Sequence, residues 1–180
     1  MGFHYRINEG QAHFITMTVV DWIDVFTRKN HKLAIIESLK YCQTHKGLEI
    51  FAWCLMPSHL HLIVRSQDSN KLSDTLRDFK KYTSKEIIRL IQEEPESRRE
   101  WMLDRFEFAG RYNPKIKNYK FWQDGNHPVE LFKPEFVKQK LNYIHNNPVE
   151  EMFVAEAHEY LYSSARNYAD MKGLIDVIII

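Results

Sequence analysis

The sequence predicts an α+β fold of ferredoxin-like type, an antiparallel sheet with helices packed on one face. Three observations predict it. Segments rich in β-branched and aromatic residues alternate with segments of helical apolar spacing, in the order β-α-β-β-α-(β)-α. Two of the strands are separated only by Met56-Pro57-Ser58, a turn that makes them a hairpin. The chain has 180 residues, 44% apolar and 13% aromatic, which suits one core.

The first strand is His13 to Val20, dense in Phe, Ile, Thr and Val. A helix follows from an Asn30 cap to about Lys46, with Leu33, Ile36 and Leu39 near helical spacing and Gly47 as its stop. Glu49 to Leu55 and His59 to Val64 form the hairpin. From Lys71 the period lengthens: Leu72, Leu76, Phe79, Ile87, Ile88 and Ile91 mark a second helix, with Ser73 a candidate cap and Pro95 its end. Glu94 to Glu100 reads as a solvated connection, and Trp101 to Trp122 is aromatic and basic without a clear period. Pro134 opens a third helix, Glu135 to about Asn146, which Pro148 should end because the residue before a proline avoids helical torsions. Ala155 to Met171 is helical in part, and Gly173 to Ile180 is a short apolar tail that could dock on its own domain or on a partner. With no repeat or long linker, residues 1–180 read as a single domain, 149–180 being a C-terminal extension.

Composition excludes several classes. A mean hydropathy of −0.48 and 27% charged residues argue against membrane and disordered proteins. The longest nearly uncharged stretch, Ile50 to Val64, holds two His and a Pro and is too short to span a bilayer. Residues Met1 to Arg6 lead into no apolar signal core. Cys42 and Cys54 are too few for a disulfide framework and read as buried thiols in a reducing compartment, so the cytoplasm is the expected location. Net charge is +1 but uneven: Lys71 to Lys120 holds 13 Lys and Arg against nine Asp and Glu, and Val149 to Ile180 two against six. The surface should be polarised.

The strongest chemical signal is His59-Leu60-His61. Side chains alternate along a strand, so both imidazoles share one face while Leu60, Leu62 and Val64 share the other. With the apolar side in the core, the pair stands on the open face as a candidate metal clamp; two ordinary strand histidines are the plain alternative. In the third helix Val137, Leu141 and Ile144 form an apolar stripe, and Tyr143 lies about 120° around from Val137. Asn147 is one turn beyond Tyr143 on the same side, so a nucleophile and a metal ligand could share that face. His145 should point away from it. His127, in Asp124-Gly125-Asn126-His127-Pro128, reads as a turn residue.

Together these residues resemble a known family. Met56-Pro57-Ser58-His59-Leu60-His61-Leu62-Ile63-Val64, with Tyr143-Ile144-His145-Asn146-Asn147-Pro148 downstream, is similar to the single-tyrosine HUH (IS200-like) transposases, and more narrowly to the REP-associated tyrosine transposases. Phe79 to Thr83, Phe121-Trp122-Gln123 and Tyr160 to Ala165 also fit, so the resemblance spans about Thr16 to Tyr168. Asn147 stands where related insertion-sequence enzymes more often carry Gln, and either amide offers a carbonyl oxygen.

The resemblance implies an enzyme that cuts single-stranded DNA beside a hairpin. Tyr143 would be the nucleophile that forms a 5′-phosphotyrosine, the linkage from which strands can be rejoined. His59, His61 and Asn147 would hold a divalent ion. Mg²⁺ or Mn²⁺ follows from the family, although imidazoles suit Mn²⁺ or Zn²⁺ better. The partner would be hairpin-bearing single-stranded DNA, and the protein a monomer or a homodimer; the motifs do not separate mobile from domesticated members. DNA contacts are expected from Arg111, Lys115, Lys117, Lys120 and Trp122, since no acid interrupts Arg111 to Gln123, with Lys80 and Lys81 a second candidate. A solvated loop over buried aromatics reads the same segment equally well. Two other classes stay open: a metal-dependent nuclease using activated water, with Tyr143 structural, and a ferredoxin-like nucleic-acid-binding module without chemistry.

Overall fold

The computed structural model describes residues 10–67, 71–114 and 116–180. The segment Met1 to Arg6 and the candidate Lys115 lie outside them. Four antiparallel strands, β1 (His13–Thr18), β2 (Leu48–Leu55), β3 (His59–Ser66) and β4 (Val129–Glu130), are ordered β2-β3-β1-β4. The predicted hairpin is β2–β3, and the sheet order is the ferredoxin-like one. Helices α1 (Lys29–Lys46) and α2 (Leu72–Glu93) cover the face that presents Leu60, Leu62 and Val64. Gly47 closes α1 in the left-handed conformation at φ 63°, as a glycine stop does. Neither predicted cap acts: Arg28 and Lys71 occupy the N-cap positions of α1 and α2, without side-chain cap bonds.

Three elements differ from expectation. The indistinct stretch after Glu94 contains α3 (Arg99–Gly110), whose buried residues Met102, Phe106 and Gly110 repeat every four positions. Exposed Trp101 and Phe108 obscure that stripe in the sequence. α4 (Pro134–Glu150) does not stop before Pro148 but carries it inside its last turn. There the missing N–H forfeits only one helical bond, and the turn continues through the Glu151 N–H to the Asn147 carbonyl at 3.1 Å. Not all helices pack on one face. Ile144 of α4, with Val137 and Leu141 beside it, packs on Phe14, Phe51, Ala52 and Ile63, so α4 crosses the sheet side predicted to be open.

After α4 the chain returns to the exposed edge of β2. The Leu55 N–H donates to the Tyr162 carbonyl, the Ser164 N–H to Trp53 and the Ile178 N–H to Ile50, each at 2.9 Å. A 3₁₀ turn (Ala157–Glu159) and α5 (Ala165–Tyr168) lie along this route, and Ile175 enters the core. The apolar tail therefore docks on its own domain and satisfies an edge that would otherwise present unpaired backbone groups. Both cysteines are free and buried, and burial pushes Cys54 up to about 12, which keeps it an inert thiol. Among the described residues no helix is long and apolar enough to cross a membrane.

Candidate active site on the histidine face

Strand register assembles the first part of the site. Thr16 lies opposite His61 and Thr18 opposite His59, so the β1 threonines and both imidazoles share one face. The Thr16 hydroxyl and His61 Nδ1 share a 3.0 Å hydrogen bond, and the Ser58 hydroxyl and His59 Nδ1 one of 3.1 Å. Each ring thus has Nδ1 engaged, which fixes its orientation and leaves Nε2 for the site. The two ring centroids are 4.7 Å apart.

α4 supplies the second part. Tyr143 stands edge-on to His61 at 5.2 Å between centroids and to Phe14 at 5.9 Å, while remaining 41% exposed. Asn147, one turn on, is buried beside His59. Because Pro148 does not break the helix, Asn147 keeps helical geometry and its carboxamide stays on the Tyr143 side. Lys140, one turn before Tyr143, brings its ammonium to 4.6 Å from the Phe14 ring centre and 5.5 Å from that of Tyr143. His145 points away as expected: its Nε2 meets Ser164 Oγ at 2.9 Å and its ring lies against Tyr168.

The electrostatics are those of a neutral donor set. Burial, reinforced by the charges of His59 and Lys140, lowers His61 to about 3. Burial also lowers His59, opposed by the Asn147 carboxamide and Glu151. Both rings are neutral at pH 7, the form that donates a lone pair. His61 Nε2 and Asn147 Oδ1 are buried with no hydrogen-bond partner, an arrangement that costs stability unless something fills it. Among the described residues no three His, Cys, Asp or Glu converge as a metal cluster; the third donor here is an amide oxygen. Burial raises the Tyr143 phenol, and Glu150 adds to the effect.

The expected DNA contacts divide. Arg111 is exposed, its guanidinium 3.7 Å from the centre of the Phe108 ring and 4.4 Å from that of Tyr112. Lys117 and Lys81 are also exposed. Lys120 is held by Asp124 at 2.6 Å. Trp122 is only 4% exposed, and its indole N–H donates to Thr83 Oγ1 at 3.0 Å. It is a core residue, so no base can stack on it. Lys80 donates to the carbonyls of Gln123 and Gly125 at 2.8 and 2.9 Å and to Asn126 Oδ1 at 3.1 Å. That nitrogen is a strut tying α2 to the strand-flanking loop, and burial lowers it to about 8. His127 occupies a turn, at φ 43°.

Sequence reasoning passed over Trp22, which is 60% exposed with its ring 5.4 Å from that of His59. It also passed over Thr16 and Phe14, whose roles depend on register across strands and carry no local motif, and gave Ser58, quoted within the histidine motif, no role of its own although its hydroxyl bonds the neighbouring His59 ring.

The family model described as "Transposase IS200 like" matches residues 7–120. That span holds the histidine pair and ends before α4. Among solved structures, a REP-associated tyrosine transposase bound to a REP hairpin superposes with a TM-score of 0.68 at 18% identity, covering 100% of this chain and 95% of that one. A candidate transposase from Deinococcus radiodurans R1 gives a TM-score of 0.44 at 14% identity, covering 81% and 95%. No curated protein matches the chain.

Proposed function

The chain belongs to the IS200-like transposase family, and from that premise we propose that it cuts single-stranded DNA beside a REP-like hairpin with Tyr143 as nucleophile and can rejoin the ends. The observation that carries this reading is the convergence of Tyr143, His59, His61 and Asn147 at one place on the sheet. The hairpin comes from the structural relative, which is described as bound to one. A cytoplasmic location is part of the proposal, in keeping with two buried, free thiols.

Tyr143 Oη would attack the phosphorus in line with the bond to the 3′ oxygen. The Oη–P bond forms as the P–O3′ bond breaks, leaving a 5′-phosphotyrosine and a 3′-hydroxyl. The phenolic proton must leave as the bond forms and the departing oxygen must gain one. Burial and Glu150 oppose ionisation of the free phenol, so a base or a water must take its proton for attack at neutral pH. The phosphodiester energy is kept in the tyrosyl linkage, which lets a 3′-hydroxyl reverse the step or join a new strand without an external energy source.

A divalent cation fits the donors. With each Nδ1 hydrogen-bonded to a hydroxyl, the Nε2 atoms of His59 and His61 and Oδ1 of Asn147 would hold it, and two of these three atoms are buried and unpartnered. When bound, such an ion supplies charge stabilisation to the non-bridging phosphate oxygens. Two imidazoles favour Mn²⁺ over Mg²⁺. Arg111 and Lys117, both exposed, are the proposed backbone contacts, with Lys81 beyond them.

The test is a covalent adduct between protein and a hairpin oligonucleotide on denaturing gels. It should form with wild type and a divalent ion and be absent from Tyr143→Phe. Metal-dependent cleavage that survives Tyr143→Phe would replace this reading with hydrolysis by activated water, and binding without cleavage would reduce the protein to a binding module. The His59→Ala, His61→Ala double variant should lose the adduct yet keep hairpin affinity within about threefold, because ligand loss leaves the phosphate contacts intact.

A further inference from the structure

The segment after β1 places one aromatic ring where the proposed reaction has no use for it. Asp21 and Trp22 are consecutive residues at φ 54° and 57°, inside the short 3₁₀ turn Val20–Trp22. Left-handed torsions are uncommon for residues other than glycine, and two in succession, one a tryptophan, persist only where the surroundings impose them. The surroundings do so here. The Arg105 guanidinium of α3 grips the Asp21 carboxylate, its Nε at 2.9 Å, and the Trp22 and Ile23 N–H groups donate to the carbonyls of Val19 and Val20 at 3.0 and 3.2 Å. The flanking Val20 and Ile23 side chains are in the core.

The fold thus spends backbone strain to hold an indole outward. A tryptophan 60% exposed is unusual where burial is available, and this one is not pointing into empty surface. Its ring meets His59 at 70°, His59 meets His61 at 73°, and His61 meets Tyr143 at 69°. The four rings run as a continuous row from Trp22 to the proposed nucleophile. Outward from the same loop, Arg105 lies over Phe108 and Arg111 between Phe108 and Tyr112, a cationic and aromatic path suited to a single strand.

We propose that Trp22 is a stacking platform for an unpaired base of the DNA, the base adjoining the phosphate presented to Tyr143. This rests on the single-strand cleavage reading above and adds how the strand is aligned. An indole presented beside the donor set by a fixed backbone turn would position the nucleotide, and with it the phosphate, before bond formation. Stacking accepts any base, so the contact would position the strand without reading its sequence.

The experiment uses single-stranded oligonucleotides carrying 2-aminopurine at successive positions around the cleavage point, bound to Tyr143→Phe so that no cut occurs. The probe beside the target phosphate should be quenched on binding. Adding Trp22→Ala should restore its fluorescence, and Trp22→Phe should keep most of the quenching. In the Tyr143 background, Trp22→Ala should slow adduct formation about tenfold or more, the loss expected of one base–aromatic stack. On an oligonucleotide abasic at that position, wild type and Trp22→Ala should react equally slowly. Quenching that is the same with Ala at position 22 overturns the proposal. So does equal slowing by Trp22→Ala on intact and abasic strands, which would mean that the ring acts only by propping His59. If Trp22-dependent quenching appears but wild type forms no adduct, the covalent mechanism fails and the platform stands. If no oligonucleotide binds, both fall.

Discussion

On one side of β3, Leu60, Leu62 and Val64 are wholly buried among apolar side chains of the sheet and of α1 and α2. On the other side of the same strand, one residue away, His59 and His61 face hydroxyls, a carboxamide and a phenol-bearing helix. Both sides are largely shut off from water, and both leave buried polar atoms without partners: His13 Nε2, Trp53 Nε1 and Ser66 Oγ on the apolar side, His61 Nε2 and Asn147 Oδ1 on the other. What differs is the company those atoms keep. On the histidine side the two unpartnered atoms belong to neighbours of His59 and of a phenol that is 41% exposed, so metal-ligating donors and a nucleophile candidate converge where substrate can reach them. Neither burial nor unmet hydrogen-bonding capacity alone therefore separates core from site; convergence of such groups beside an exposed one does.

Exchanging the damage between the two faces gives the sharpest test. His61→Ala should reduce adduct formation by about 10²–10³-fold, the scale of losing an electrostatic stabiliser of the transition state, while its melting temperature moves little. The cavity it leaves is offset by removal of a ring nitrogen that had no partner. Leu62→Ala, next in the chain, should cost about 3 kcal/mol of stability from lost burial and a new cavity, measured by urea unfolding. Below its unfolding midpoint that variant should still form the adduct at nearly the wild-type rate. Similar activity losses for the two would erase the distinction between faces.

Acid should expose the same difference. An unfolded histidine takes up a proton near its ordinary value of 6.5, but folded His61 resists until about 3. Between those limits the unfolded chain binds more protons, so stability is full above about pH 6.5 and falls as pH drops, by up to about 1.4 kcal/mol per unit. His145, lowered by burial to about 4 on the other side of α4, contributes a second share. Unfolding curves from pH 7 to 4 should therefore be steep for wild type and shallower for His61→Ala. Identical slopes would mean that His61 charges readily in the folded protein and is not the closed-in donor described here.

How much of this could be read in the sequence depends on the range of the interactions. Alternation along a strand is local, so the shared face of His59 and His61 was legible, as was the shared side of Tyr143 and Asn147 along a helix. The position of α4 across that face was not, because it depends on which side of a sheet a distant helix chooses. Trp122 shows the same limit: lysines and aromatics interleave from Lys115 to Trp122, and nothing local says that the indole turns inward to Thr83. Trp22 escaped notice because its importance lies in a positive φ imposed by Arg105, 83 positions away from Trp22's own place in the chain by the residue numbers. Pro148 misled for a physical reason: a proline in a final turn removes one bond and leaves the rest of the helix intact.

The smallest effects separate the lysines that the sequence could not tell apart. Each phosphate contact made by an exposed cation releases counterions, so its removal should lower the slope of log affinity against log salt by about 1. Arg111→Ala and Lys117→Ala should each do so and weaken hairpin binding at low salt more than at high salt. Lys80→Ala should not, because its ammonium is already bound by two carbonyls and an amide oxygen inside the fold. It should instead lower stability by about 1–3 kcal/mol, the cost of stranding those acceptors. Binding titrations from 50 to 300 mM salt, in the Tyr143→Phe background to prevent cleavage, measure the slopes directly. A reduced slope for Lys80→Ala at unchanged stability would show that the strut opens to meet DNA, and that the division between structural and DNA-facing cations is not fixed in the free protein.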